Sequence, residues 1–145
     1  MTLNTYTDEQ AILAEIESVM AQPVYNEVAD GVDMVWLGDG TFLQPYIAVD
    51  FGSPVATAGG RSIAVEEKQP VDQRVIVAAV ASSADVVRQI AGRIVEQFTG
   101  FVPSANAGPL RLLGGGGYTL SIESKPTVYV RETYFAFLGN QANVG

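Results

Sequence analysis

The chain contains no cysteine and no histidine, and each absence narrows what it can do. Without cysteine it can form no disulfide, so nothing indicates a secreted scaffold that depends on such bonds. Without histidine as well, Ser-His-Asp catalysis, Cys-His catalysis and zinc sites of the usual ligand types are excluded. A leader is not expected from the polar start, and the longest apolar run, residues 75–81, is too short to span a bilayer. A soluble protein made in a reducing cytoplasm is the expectation.

Charged residues are scarce too, at 17% of the 145 residues, whereas hydrophobic residues make up 48%. An ordinary soluble chain has about 25% charged residues. A monomer with so few charges leaves apolar surface in water, and large apolar patches usually mark contacts with other proteins. The length is typical of one domain, residues 1–145. The composition therefore favours a single domain that assembles with other subunits and is not an enzyme.

Basic residues are missing from the whole first part of the chain. Residues 1–60 carry nine acidic side chains and no lysine or arginine, whereas residues 61–145 carry eight basic and seven acidic ones. Because duplex binding depends on cationic contacts to phosphate, the acidic part should repel nucleic acid. It is either a solvated, solubilising face or a repulsive surface that steers partners. Sequence-specific DNA binding is not expected.

Two amphipathic helices are predicted. Thr7 begins a capping box with Gln10, and the apolar spacing that follows predicts a helix over residues 8–21. Ser82 or Ser83 is expected to cap the second helix, and Gly100 lies where a left-handed C-terminal cap would be. The inward stripe of the second helix consists of Val86, Val87, Ile90, Ile94 and Phe98.

Short strands are predicted between turn signals. Together with the helices they predict an α+β fold: a mainly antiparallel twisted sheet with an N-terminal helix, a second helix packed on it and a long central loop. The predicted strands are 24–28, 34–37, 41–43, 46–51, 73–81, 118–122 and 127–138, the second and third forming a hairpin. The early strands are interpreted as antiparallel. In the last strand the apolar alternation changes phase across Arg131 and Glu132, which predicts a β-bulge or a change of partner.

The segment 52–72 has no usable period and is predicted to be an extended loop or arm. Two interpretations stay open: disorder alone, or an arm that becomes ordered on binding a partner. The arm's candidate contact residues are Arg61, Glu66, Glu67 and Lys68. Residues 139–145 are expected to form a flexible tail.

Two motifs invite a chemical interpretation. The run Gly114–Gly117 lacks the Gly-Lys-Ser/Thr of a phosphate-binding loop and leads into a strand, so a flexible hairpin connection is predicted. Carboxylate catalysis would need a close acidic pair, either Asp30 with Asp33 or Asp39 with Asp50. Asp30 and Asp39 each precede glycine, which favours a role in turns. A calcium-loop spacing is absent, and no metal or cofactor is expected.

The order of these features resembles the tail terminator proteins of long, non-contractile-tailed bacteriophages. The resemblance extends from about residue 8 to 140 and rests on no single diagnostic motif. Its segments are the N-terminal helix, 45–52, strand 74–81 leading into helix 84–98, 98–103, 110–112, the glycine run with Tyr118, and 134–140. The acidic first part without cations is not a feature that we assign to the family.

The resemblance implies a structural virion protein of the tail or neck, made in the host cytoplasm. Such subunits form a hexameric ring on the last ring of the tail tube, end tube polymerisation and provide the docking surface for the head connector, while DNA passes through the lumen. The implied partners are further copies of the chain, the major tail tube protein and the head-to-tail connector protein, with no membrane.

Three groups of residues are assigned roles on this hypothesis. The lumen-facing candidates are Glu27, Asp30, Asp33 and Asp39, and the inter-subunit candidates are Arg88, Arg93, Arg131 and Glu132. The two arginines of the second helix have a plainer interpretation as its solvated face. The 53–72 arm is expected to contact the tail tube or the connector. Another phage neck or connector subunit, or the tail tube protein, is the nearer alternative, and a carboxylate-based enzyme or small-ligand binder is the remote one.

Overall fold

The computed structural model describes residues 6–53, 55–56, 71–105 and 107–139, which form a six-stranded sheet, a two-stranded hairpin and two helices. The helices are α1 (Tyr6–Val19) and α2 (Ala84–Phe98), and Ala29–Gly31 is a turn of 3-10 helix. The strands are β1 (Val24–Tyr25), β2 (Trp36–Leu37), β3 (Phe42–Leu43), β4 (Tyr46–Phe51), β5 (Val55–Ala56), β6 (Val71–Ala81), β7 (Arg111–Leu120) and β8 (Val128–Gly139). The predicted α+β class is confirmed.

Strand β6 lies at the centre of the large sheet, whose order is β1-β4-β6-β8-β7, with β5 also pairing with β6. Its two faces are covered by different groups of side chains, which explains why its sequence is apolar without alternation. Val75, Val77 and Ala79 point to the face covered by α1 and α2. Ala78 and Val80 point to the opposite face, which the β2–β3 hairpin covers.

The two helices pack on one face through the predicted apolar stripes. Ile12 and Ile16 of α1, and Ile94 and Phe98 of α2, are almost completely buried there. Ser83 precedes α2, and its Oγ accepts from the backbone N–H of Val86 at 3.4 Å, so of the two predicted N-caps, Ser82 or Ser83, the second is observed. Helix α2 ends at Phe98, and Gly100 has the left-handed φ of +89°.

The capping box predicted at Thr7 is wrong. Helix α1 begins at Tyr6, so Thr7 lies inside its first turn and cannot be the residue that precedes it. The predicted end at residue 21 is also late, because the helix ends at Val19 and Met20 contributes only one further backbone hydrogen bond, to Ile16 O at 2.9 Å.

The prediction that the early strands are all antiparallel is wrong, because β1 pairs with β4 in parallel. The registers are Val24 with Ile47 and Tyr25 with Ala48. Between β1 and β4 the chain passes through the 3-10 turn and the β2–β3 hairpin, a connection long enough to return it to the same end of the sheet. The strand predicted over residues 24–28 is correspondingly reduced to two residues.

The glycine run is part of a strand, so the prediction of a flexible hairpin connection is wrong. Gly114–Gly117 lie within β7 and pair with β8, from Gly114 opposite Tyr134 to Gly117 opposite Arg131. A Cβ built on Gly115 would lie 2.7 Å from the backbone oxygen of Glu132. Glycine is required there because the two strands approach more closely than a side chain allows.

The bulge predicted across Arg131 and Glu132 is also wrong. The register of β8 on β6 runs without a break from Val71 opposite Gly139 to Ala81 opposite Tyr129. The register shift lies instead in β7, between Leu112 and Gly114. The apolar phase of β8 changes because its first residues, Val128 and Val130, enter the core under the hairpin, whereas Phe135 and Phe137 enter the core under the helices.

Part of the predicted arm is strand. Val55–Ala56 form β5, and β6 begins at Val71, inside the range of 52–72 given to the arm. The candidate arm residues Arg61, Glu66, Glu67 and Lys68 lie outside the described residues, as does the tail beyond residue 139. Gly139 itself, predicted to begin the tail, is the last residue of β8 and is buried opposite Val71. Neither described helix combines the length and the apolar character needed to cross a membrane.

Candidate functional site at the open edge of the sheet

Strand β7 forms an edge of the large sheet, and no other described strand pairs with its outer side. It is ten residues long, and three of its large hydrophobic side chains are between 41% and 48% exposed. They are Leu112, Leu113 and Tyr118. Natural proteins usually shorten, charge or cover such an edge, because its free backbone groups can pair with another chain. A long, uncovered apolar edge is therefore a candidate contact surface.

A groove runs between α2 and β7 on the helix-covered face of the sheet. It consists of two adjoining hollows of about 500 and 320 Å³ that share Arg88 and Arg131, and we call it the cationic groove. Gly115 and Gly117 pair with Thr133 and Arg131, so their positions belong to this face. Because these glycines carry no side chains, the space between helix and strand stays open.

The two arginines of the groove are not neutralised by buried partners. Arg88 lies 3.5 Å from Asp85 one turn earlier on α2, but both side chains are more than 60% exposed. An exposed pair of this kind contributes about 0–1 kcal/mol and leaves the arginine available to other anions. Arg131 forms no salt bridge within the part of the chain that the structure describes. The groove therefore presents positive charge.

The opposite face of the sheet carries a cavity of about 220 Å³ lined by four carboxylates, which we call the acidic cavity. The carboxylates belong to Glu27, Asp30, Asp50 and Glu132. No basic residue is among those that line it. Its floor includes Ala48 and Ala78, which are opposite each other on β4 and β6, and two small side chains at this register leave the space.

Hydrogen bonds hold the walls of the acidic cavity in place. The buried hydroxyl of Tyr46 donates to the backbone oxygen of Ala29, which ties the segment that carries Glu27 and Asp30 to β4. On the other wall, the hydroxyl of Tyr134 donates to Oε1 of Glu132 at 2.7 Å. Tyr46 thus attaches one wall to the sheet, and Tyr134 fixes the orientation of the Glu132 carboxylate within β8.

The tyrosines around the acidic cavity have raised pKa values. Burial, followed by the electrostatic influence of Tyr118 and Asp30, raises the pKa of Tyr46 to about 12. Burial raises the pKa of Tyr118, and the charges of Glu132 and Asp30 add to the shift. The hydrogen bond to Glu132 is the main cause that raises the pKa of Tyr134. Negative charge next to each phenol disfavours a second anion.

The structure divides the predicted site residues. Glu27 and Asp30 line the acidic cavity, whereas Asp33 and Asp39 are exposed and do not; Asp39 occupies the β2–β3 turn with a φ of +57°, as its turn interpretation required. Of the four aspartates in the two pairs suggested from the sequence, Asp30 and Asp50 share the cavity, and they come from different pairs, so neither suggested pair is brought together there. The alternation of side chains within β4 is a signal that could have identified Asp50 as a cavity residue, since Asp50 points to the face opposite that of Val49.

The inter-subunit candidates are divided in the same way. Arg88 and Arg131 meet in the cationic groove, and Arg93 is exposed on α2 outside the groove. Glu132 borders both the groove and the acidic cavity, with its side chain on the cavity face. Sequence reasoning missed Tyr118 as a wall shared by the groove and the cavity. Among the described residues, no group of three or more acidic side chains is arranged to hold a metal ion.

Comparison with known proteins gives no matching family model, and no curated protein matches the sequence.

Proposed function

We propose that the chain is a structural virion protein that forms a ring on the end of a phage tail tube. The observation that carries the proposal is the separation of charge beside an uncovered edge strand. One face near β7 presents the cationic groove and the other presents the acidic cavity. A ring requires two different, complementary surfaces on every subunit, because each copy meets its neighbours head to tail. The chain carries such a pair of surfaces.

The order of sequence features supports a tail terminator in particular. In that role the ring ends tube polymerisation, and its free side docks the head connector. DNA passes through the lumen. Exposed acidic side chains suit such a passage, since they repel phosphate and let the duplex slide without adhering. Asp33 and Asp39 are exposed and belong to neither charged surface, so they are available to face a lumen.

The nearer alternative, another neck subunit or the tube protein, shares the need for complementary surfaces and differs in what the ring does. The remote alternative, a carboxylate-based enzyme or small-ligand binder, would use the acidic cavity. Ligand pockets usually have a volume of about 300–1,000 Å³. At about 220 Å³ the acidic cavity is smaller, and its wall lacks a cation that could orient an anionic substrate. The assembly function is therefore favoured.

Two measurements test the proposal. Sedimentation and negative-stain microscopy of the purified chain should give a ring whose mass is several times, and on the hexamer hypothesis six times, the 15.4 kDa of one chain. Adding the ring to tube protein that is polymerising in solution should then stop growth and give short tubes with a ring at one end. Tubes of unchanged length, with no ring at their ends, would contradict the terminator function.

A further inference from the structure

We infer that the cationic groove and the edge of β7 on one subunit dock onto the acidic cavity of a second copy. This inference rests on the proposed ring and names the two surfaces that would form it. It commits Arg88 and Arg131 to one side of the contact, and Glu27, Asp30 and Asp50 to the other.

Charge complementarity is the first argument. The groove presents two arginines of which Arg131 has no salt bridge among the described residues, and the acidic cavity has no basic residue in its lining. Within its own subunit, the acidic cavity thus has no cation in its lining, Arg131 has no salt bridge among the described residues, and Arg88 has only its exposed pair with Asp85. Complementary charges set the register of an interface and speed the encounter of the two surfaces.

The position of the two surfaces is the second argument. They lie on opposite faces of one sheet, because consecutive side chains of a strand point in opposite directions. Arg131 lines the groove, and the side chain of Glu132 points to the face of the cavity, although Glu132 also borders the larger hollow of the groove. A subunit consequently cannot satisfy its own groove with its own cavity. The cavity of a second copy can receive the groove of the first. The groove of the second copy is then still free for the cavity of a third copy, which is the head-to-tail arrangement that a ring needs.

The exposed apolar residues of β7 provide the third argument. Leu112 lines the groove itself and Leu113 is next to it in the chain. Both leucines, and Tyr118 of the same strand, are more than two-fifths exposed. Charged contacts alone confer specificity and little net affinity, whereas apolar side chains removed from water at the centre of an interface contribute most of the binding energy. The β7 edge combines both kinds of contact.

Of the four lumen-facing candidates, Asp33 and Asp39 lie outside this contact and would stay exposed. Glu27 and Asp30, which belong to the same initial group, would be covered by the neighbouring subunit. The hypothesis thus splits the four acidic residues into two that join subunits and two that remain exposed.

The experiment uses two charge reversals, Arg131→Glu and Asp30→Lys, and follows self-association of the full chain by sedimentation velocity. Each variant alone should associate at least about tenfold more weakly than the native chain, because a like charge faces the unaltered surface of the neighbour. An equimolar mixture should regain association, since the native groove of one variant meets the native cavity of the other and the two altered surfaces are again opposite in charge.

Arg93→Glu and Asp33→Lys are the matched controls, since they make the same charge changes on exposed residues outside the two surfaces. They should associate like the native chain. Association that survives both test reversals, or a mixture that regains nothing, would overturn the docking surfaces while leaving a ring built through other contacts. A native chain that neither associates in solution nor caps tubes would overturn both the surfaces and the proposed function.

Discussion

Arg131 and Glu132 are consecutive in β8, and their side chains point to opposite faces of the sheet, the first into the cationic groove and the second toward the acidic cavity. Glu132 is fixed there by the hydroxyl of Tyr134. The two residues are also the point at which the apolar phase of β8 changes, from the core under the hairpin to the core under the helices. At these two residues, β8 therefore changes from the core under the hairpin to the core under the helices, and it places a positive and a negative side chain on opposite faces of the sheet.

Replacing Tyr46 by Phe should destabilise the fold by about 1–3 kcal/mol, because the buried oxygen of Ala29 loses its donor. The aromatic side chain stays in place, so the loss of stability measures the contribution of the hydroxyl group. Urea unfolding followed by circular dichroism measures it. Tyr118→Phe removes a hydroxyl from an exposed residue and serves as the control, with a change of less than about 0.5 kcal/mol expected. Equal stability of the two variants would contradict the assigned hydrogen bond.

The raised pKa of Tyr46 makes a separate prediction about alkaline stability. The folded chain holds this proton more tightly than the unfolded chain, whose tyrosines ionise near the ordinary value of 10. The contribution to stability is thus fully present below pH 10 and is lost as the pH rises towards about 12. Ultraviolet titration of tyrosinate should show one late-ionising tyrosine fewer in Tyr46→Phe than in the native chain, because Tyr118 and Tyr134 also have raised pKa values and remain in the variant. An unchanged number of late-ionising tyrosines would refute the assignment.

Gly115→Ala should cost about 1–3 kcal/mol, because its Cβ would lie 2.7 Å from the backbone oxygen of Glu132 and the strands would have to separate. Gly116→Ala is the matched control. The nearest atom to its Cβ would be the Tyr134 hydroxyl at 3.9 Å, so the change should be neutral or slightly stabilising. Thermal unfolding of both variants tests the pair, and a neutral Gly115→Ala would show that β7 does not approach β8 so closely.

Gln73 is a polar side chain with 0% exposure in the central strand, and its amide donates to the backbone oxygens of Gly52 and Arg74. Gln73→Met keeps the volume and removes the donors, so it should destabilise the chain by about 1–3 kcal/mol. Gln89→Met changes an exposed amide on α2 and should change stability by less than about 0.5 kcal/mol. Chemical unfolding compares them, and a Gln73 variant as stable as the Gln89 variant would argue against the bonds.

The role of the arm can be tested without disturbing the sheet. Ala56 and Val71 are directly opposite each other in the β5–β6 pair, so a two-residue Asn-Gly turn can replace residues 57–70. If the proposed function is correct, the shortened chain should keep its unfolding temperature and still form the proposed ring, but it should fail to join heads to tails. Complementation of a phage that lacks the protein measures joining, with the native chain as control. Normal joining would show that the arm, including Arg61 and Lys68, is dispensable.

Much of the architecture could be read from local patterns. The sequence predicts strand Tyr46–Phe51 with its observed ends, places the hairpin at Gly38-Asp39-Gly40, and predicts α2 with Ser82 or Ser83 as its cap and Gly100 just beyond its end; the structure has Ser83 as the cap. These features depend on neighbouring residues, so spacing and turn chemistry suffice to predict them. The parallel pairing of β1 depends on a partner over twenty residues away, and no local signal encodes it.

The candidate surfaces show the same division. The excess of acidic residues, the lack of cysteine and histidine and the small number of charges follow from the sequence alone, and they suffice to set aside several classes of enzyme. Only the tertiary structure decided that Gly114–Gly117 form an exposed edge strand, that Arg88 and Arg131 share a groove and that Asp30 and Asp50 share a cavity. The physical reason is that a side chain's neighbours across a sheet are fixed by strand order and register, which come from burying both faces of β6 at once.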